Sequence, residues 1–142
     1  MSGSDLDVVA VYGTLRRGER NHGLLAGAEY LGHGFVDGVL HVVHSATLRP
    51  YPYPALLVGG GRVGGGRVRV ELFRLPGGQM LDKLDELEGY DHADEGRSEY
   101  VRRVVPVIEG PVGRAWAYLY AGDPAELAEP VEGGDWSMHA PG

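Results

Sequence analysis

Glycine restricts this chain more than any other residue does: 24 of its 142 residues are glycine. They cluster in Gly59-Gly60-Gly61 and Gly64-Gly65-Gly66 and recur singly at Gly32, Gly34 and Gly38. Breaks this frequent leave little room for long helices, so the apolar residues must be gathered on short strands joined by turns. Val68-Arg69-Val70-Glu71-Leu72 alternates cleanly and is the clearest half-buried strand. The apolar run Val8-Val9-Ala10-Val11 reads as a strand buried on both faces.

Further strands are expected over Ala28–Phe35, Gly38–Val43 and Ala55–Val58, with a turn near Asp37-Gly38. Arg49 to Pro54 carries three prolines and is expected as an extended loop. Arg20 to Leu25 suits a short helical turn. Tyr100–Ile108 and Arg114–Tyr120 read as paired strands around a turn at Glu109-Gly110-Pro111. Gln79–Glu88, after the break at Pro76-Gly77-Gly78, is the clearest helix, with Gly89 placed to end it in the left-handed conformation. Asp123–Glu129 suits a second, brief helix. One domain is expected over residues 1–142, with weakly ordered tails at 1–6 and 131–142.

The net charge of −7 disfavours general nucleic-acid binding. No apolar stretch approaches the ~18 residues that span a membrane, and no basic-then-apolar leader is evident, so a cytoplasmic location is expected. Cysteine is absent, which removes thiolate nucleophiles, disulfides and cysteine metal sites together.

The first strand runs into Tyr12-Gly13-Thr14-Leu15 and then the basic loop Arg16-Arg17-Gly18-Glu19-Arg20. Backbone N–H groups freed at such a turn can converge on an anion. Arg16 and Arg17 read either as cations that steer a ligand or as solvated surface arginines.

The helix supplies the complementary chemistry. At ~100° per residue, Met80, Leu81, Leu84 and Leu87 form the core-facing arc. Asp82, Lys83, Asp85 and Glu86 fall outside it. Glu88 falls inside, ~20° from Leu81 by the same geometry. One carboxylate is therefore expected to face the interior, where burial and the helix C-terminus both favour its protonated form. Such a group suits general acid–base work. Alternatively, Glu88 sits on a frayed helix end and reaches water.

These segments together resemble the γ-glutamyl cyclotransferase-like superfamily over most of the chain. Tyr12-Gly13-Thr14-Leu15 is similar to its substrate-binding loop. Arg16 to His22 with Leu24-Leu25 is similar to the γ-glutamylamine cyclotransferase branch. Leu84-Asp85-Glu86-Leu87-Glu88 resembles the segment whose final Glu is catalytic, and Tyr100-Val101-Arg102-Arg103 resembles the strand start that follows. Trp116 to Gly122 and Gly133-Gly134-Asp135-Trp136 are similar to its late aromatic strand and its tail.

The resemblance implies an α+β fold, a small mixed β-barrel or curved sheet with a few flanking helices. It implies conversion of a γ-glutamyl amine to 5-oxoproline and free amine, without cofactor or metal. By the same resemblance Glu88 is the catalytic acid–base, and the N–H groups of Gly13, Thr14 and Leu15 bind the substrate α-carboxylate. Tyr12 and Tyr120 either line the pocket or are core aromatics. The partner is then a small-molecule γ-glutamyl substrate, with no nucleic acid and no membrane, acting on a monomer or weak homodimer. Other readings are removal of a γ-glutamyl protecting group from a biosynthetic intermediate and a non-catalytic binding module of the same fold. The long acidic segment Asp91–Ser98 lies near the expected exit of the leaving group and leaves the amine open.

Three further signals point elsewhere. Gly59 to Gly64 matches Gly-x-Gly-x-x-Gly, but no helix follows it, so a flexible hairpin loop is expected. His41 and His44 fall on opposite faces of a strand, against a metal site. Asp91, His92, Asp94 and Glu95 read either as ligands for a cation or, the preferred reading, as a solvated charged loop.

Overall fold

Val8 to Val11 are all buried, as a strand covered on both faces must be. In the computed structural model, which describes residues 7–13, 15–17, 22–43, 53–57, 66–91 and 93–121, this strand is β1 (Val8–Val11). It is followed by β2 (Glu29–Asp37), β3 (Val39–Val43), β4 (Tyr53–Leu57) and β5 (Arg67–Arg74). Helix α1 (Gly78–Glu88) and strands β6 (Tyr100–Pro106) and β7 (Arg114–Tyr120) complete the described order, with 3-10 turns at His22–Leu25 and Glu95–Arg97.

The main sheet has five strands in the order β2-β5-β1-β7-β6, and β3 and β4 form a separate ribbon. β1 runs antiparallel to β5 and parallel to β7. The period of two then sorts the side chains. Val8 and Ala10 join Val68, Val70, Leu72, Ala115 and Ala117 on one face. Val9 and Val11 join Phe73 and Tyr118 on the other, together with Leu15, Leu25, Tyr100 and the helix residue Leu84. The second face carries α1.

The expected turn at Asp37-Gly38 moves the chain from one sheet to the other. Gly38 has φ 158 and its N–H donates to the Gly66 carbonyl at 3.0 Å. β4 begins at Tyr53, two residues before the expected strand, so Pro54 lies within it. Both strands of a two-stranded ribbon are edges, where proline is tolerated. β6 ends at Pro106 rather than Ile108, and Glu109 then turns the chain with φ 57.

The main sheet is not closed into a barrel, so the barrel form of the expected fold does not hold. Its outer strands approach at one bridge, Phe35 to Ile108, with N–H···O contacts of 2.9 and 2.7 Å. Gly34 permits that approach, since a Cβ there would stand 2.9 Å from a Val107 methyl. One α-helix flanks the sheet among the described residues. None of the helices among them is long and apolar enough to cross a membrane. The expected helix at Asp123–Glu129, both tails and the Gly59–Gly64 loop lie outside the described residues.

The end of α1 is closed firmly. Gly89 adopts the left-handed conformation (φ 68) and donates to the Glu86 carbonyl at 3.2 Å, while the Tyr90 N–H donates to the Asp85 carbonyl at 2.9 Å. These are the two bonds of a Schellman cap. The helix end is therefore ordered rather than frayed at Glu88. A Cβ at Gly89 would meet Glu99 at an ordinary 3.6 Å, so only backbone strain opposes one. Gly89→Ala is expected to destabilise the protein by about 1–2 kcal/mol, read from urea unfolding.

Candidate active site

Leu84 is fully buried on the sheet, with Met80, Leu81 and Leu87 partly buried around it. Glu88 is inward as expected, at 8% exposure. Asp85, expected in solvent, is also buried, at 9%. It lies ~40° beyond Leu81 on the wheel, just outside the apolar arc, and there the sheet reaches up to cover it. The Tyr118 hydroxyl donates to Asp85 Oδ1 at 2.6 Å, and Arg102 Nη1 stands 3.3 Å from Oδ2. Arg102 and Tyr118 are direct partners across the β6–β7 ladder.

Burial is the main cause that pushes the Tyr118 hydroxyl well above the ordinary phenol range. Its hydrogen bond to Asp85 and the negative charges of Asp85 and Glu88 act in the same direction, and Arg102 opposes them. Tyr118 therefore stays protonated and donates. Glu88 is close enough to act electrostatically on that hydroxyl.

At the other end of Tyr118, its backbone carbonyl accepts the Tyr12 hydroxyl at 2.6 Å. Tyr12 is a core aromatic whose polar tip ties the opening loop to β7. Gly13 follows, and its carbonyl accepts the Arg16 N–H at 3.0 Å. Space, rather than a positive φ, requires glycine at this position. A Cβ would stand 2.3 Å from Pro54 Cγ, and the Pro54 carbonyl in turn accepts the Tyr100 hydroxyl. Leu15 is buried against the helix face of the sheet, with its carbonyl 3.0 Å from His22 Nδ1. Thr14 lies outside the described residues.

Arg16 is neither a steering cation nor solvated. It is buried and paired at 3.4 Å with Glu71, itself buried on β5. The Arg17 N–H donates to the other Glu71 oxygen at 2.9 Å, while the Arg17 guanidinium lies exposed over the Tyr30 ring. Glu71 is the register partner of Val11 and draws the loop back onto the sheet.

Tyr120, half-buried, packs edge-on against Tyr100 with ring centroids 5.6 Å apart. Glu99 donates its N–H to the Gly89 carbonyl, and Ala121 donates to the Glu99 carbonyl. The end of α1, the start of β6 and the end of β7 thus meet. β1 runs parallel to β7, so the opening loop leaves at this same end. Tyr12, Gly13, Leu15, Glu88 and Tyr120 therefore share one end of the sheet.

The match to the family model "Gamma-glutamyl cyclotransferase, AIG2-like" spans residues 9–138 and takes in every one of these segments. The chain belongs to this family. The Escherichia coli K12 gamma-glutamylcyclotransferase family protein YtfP is 30% identical over 128 residues, covering 90% of this chain and 94% of that protein. The solution structure of E. coli YtfP superposes with a TM-score of 0.61 at 27% identity, over 92% of this chain and 96% of that one. A crystal structure of a Mus musculus AIG2-like protein gives 0.61 at 26% identity, over 87% and 85%.

Within this γ-glutamyl cyclotransferase-like fold, most described residues of the acidic segment after α1 are exposed, as expected of a charged loop, and side-chain contacts hold it at Glu95 and Ser98. Tyr90 donates to Glu95 at 2.8 Å, and Arg103 grips Glu95 with two contacts of 2.9 and 2.6 Å. The Ser98 hydroxyl, buried, accepts the Asp91 N–H and donates to the Asp91 and Asp94 carbonyls. No metal-holding group of His, Cys, Asp or Glu occurs among the described residues, and His44 and His92 lie outside them.

Sequence reasoning missed Asp85, Tyr118, Arg102, Glu71 and Pro54 as structural parts of this end. Arg102 and Tyr118 stood inside quoted motifs, but only the β6–β7 register shows that both face Asp85. Glu71 shares its strand face with Arg67, Arg69 and Phe73, so alternation along β5 carries no sign of its burial.

The contact between Gly13 and Pro54 yields a specific expectation. Gly13→Ala overpacks the loop at a cost of about 1–3 kcal/mol, and Pro54→Ala in the same chain, by removing the clashing Cγ and Cδ, recovers most of that loss. A double-mutant cycle on unfolding free energies measures the coupling.

Proposed function

We propose that the protein is a γ-glutamyl cyclotransferase that converts a γ-glutamyl amine to 5-oxoproline and free amine, with Glu88 as acid–base. The observation that carries this reading is a buried glutamate on a firmly capped helix end, in a chain of this family, beside a tyrosine held as a donor. Burial disfavours the charged form of a carboxylate, which favours the match to neutral pH that general acid–base catalysis requires.

In the proposed reaction the N–H groups of Gly13, Thr14 and Leu15 hold the substrate α-carboxylate. Among the described residues no backbone carbonyl accepts the N–H of Gly13 or Leu15. Glu88 takes one proton from the α-ammonium group. The freed amine attacks the γ-carbonyl carbon, and a C–N bond closes the five-membered ring. The bond to the departing nitrogen then breaks as Glu88 returns that proton to it, and the ring nitrogen gives up its second proton to the freed carboxylate, which passes it to the free amine as an ammonium group. Nucleophile and electrophile belong to one molecule, so holding them together supplies effective molarities of about 10⁵ M or more. No thiol is needed, which suits a chain without cysteine.

The test is 5-oxoproline release from a panel of γ-glutamyl amines that includes γ-glutamyl-lysine and glutathione. Glu88→Gln keeps the shape and removes the base, and kcat is expected to fall by about 10²–10⁴-fold with the fold retained by circular dichroism. Wild-type turnover in that variant would exclude Glu88 from the chemistry. Binding of γ-glutamyl compounds by the wild type without release from any of them would favour a binding module.

A further inference from the structure

We propose that Asp85 is a positioning residue for Glu88, and that its carboxylate, clamped by the cross-strand pair Arg102 and Tyr118, sets where the last turn of α1 stands over the sheet. The proposal rests on the reading of Glu88 as the acid–base group. Asp85 precedes Glu88 by three residues, so the two lie ~4.5 Å apart along the helix axis and on neighbouring faces. Asp85 is held at both of its polar ends. Its side chain binds Tyr118 of β7 and pairs with Arg102 of β6, while its backbone carbonyl accepts the Tyr90 N–H of the helix cap. Glu88 lies between those two anchorages.

The clamp also reaches the opening loop, because the Tyr118 carbonyl accepts the Tyr12 hydroxyl. One residue of β7 therefore holds the turn of Glu88 through its side chain and the start of Tyr12-Gly13 through its backbone. The distance between acid and loop is thereby tied to a single sheet strand. Arg102 is itself confined, with its guanidinium 4.8 Å over the Trp116 ring and 5.7 Å from that of Tyr90. Its Nε and Nη1 are buried without a hydrogen bond of good geometry among the described residues, so the approach to Asp85 is an ion contact. Removing the Asp85 charge would leave that buried cation uncompensated.

The test compares Asp85→Asn and Tyr118→Phe, each alone and combined with Glu88→Gln. The readouts are kcat, KM, thermal unfolding and amide hydrogen exchange at Gly89 and Tyr90. Each single variant is expected to lower kcat by about 10- to 100-fold, with KM within about threefold by the logic of an interaction realised in the transition state. Neither is expected to lower turnover further once Glu88 is glutamine. Exchange at Gly89 and Tyr90 is expected to speed up about tenfold, the equivalent of one charge-assisted hydrogen bond.

A role confined to stability would instead lower the unfolding temperature and leave kcat per folded molecule unchanged, which overturns the proposal. So does a kcat loss that is fully additive with Glu88→Gln. Should Asp85→Asn not fold, Tyr118→Phe, which removes a single oxygen, carries the test. Should Glu88→Gln keep full turnover, or no γ-glutamyl amine react, the cyclotransferase reading itself has failed. Exchange then decides the positioning claim on its own, and unchanged protection at Gly89 and Tyr90 in both variants overturns it.

Discussion

A carboxylate taken out of water must be met by donors or countercharge, and Asp85 meets that demand across three elements. It sits on α1, takes the Tyr118 hydroxyl from β7 and faces Arg102 on β6. Its own carbonyl closes the helix cap. Because a buried charge tolerates few alternative arrangements, α1 has a definite rotation and height on the sheet. Apolar contacts alone, through Leu84 and its partly buried neighbours, would define that placement more loosely.

A second buried acid does the corresponding work for the opening loop. Glu71 receives the Arg16 guanidinium and the Arg17 N–H, so the loop that leaves β1 returns at once to β5. Pro54 closes on Gly13 from the β3–β4 ribbon. The loop is thus bounded by ionic contacts on one side and steric contact on the other. Both anchors act on residues adjacent to the backbone proposed to bind substrate, which leaves those groups free of side-chain conformational searching on binding.

Membership of the γ-glutamyl cyclotransferase, AIG2-like family supports the proposed reaction class, and the local geometry makes that chemistry physically reasonable. An intramolecular ring closure needs orientation and one proton carrier more than it needs a nucleophile. An end of a sheet where a capped helix, a parallel strand pair and a pinned loop converge provides orientation from rigid parts. The described residues between Tyr90 and Glu99 lie beside that end and are held by the contacts of Glu95 with Arg103 and of Ser98 with Asp91.

Much of this was legible in the sequence because it depends on neighbours along the chain. Alternation at Val68 to Leu72, the double-faced run at Val8 to Val11, the left-handed glycine at position 89 and the inward angle of Glu88 are properties of local period and backbone conformation. The open sheet, the inclusion of Pro54 in a strand, the burial of Arg16 and the burial of Asp85 depend on residues distant in the chain, Glu71 being 55 positions from Arg16 and Tyr118 33 from Asp85, or on which edges fail to meet. A helical wheel has no knowledge of what covers it, so an acid just outside the apolar arc looks solvated until Tyr118 and Arg102 arrive from another element. The sequence by itself determined the elements, their faces and the family. Tertiary structure alone decided which charges left water, because the countercharge that permits burial comes from elsewhere in the chain.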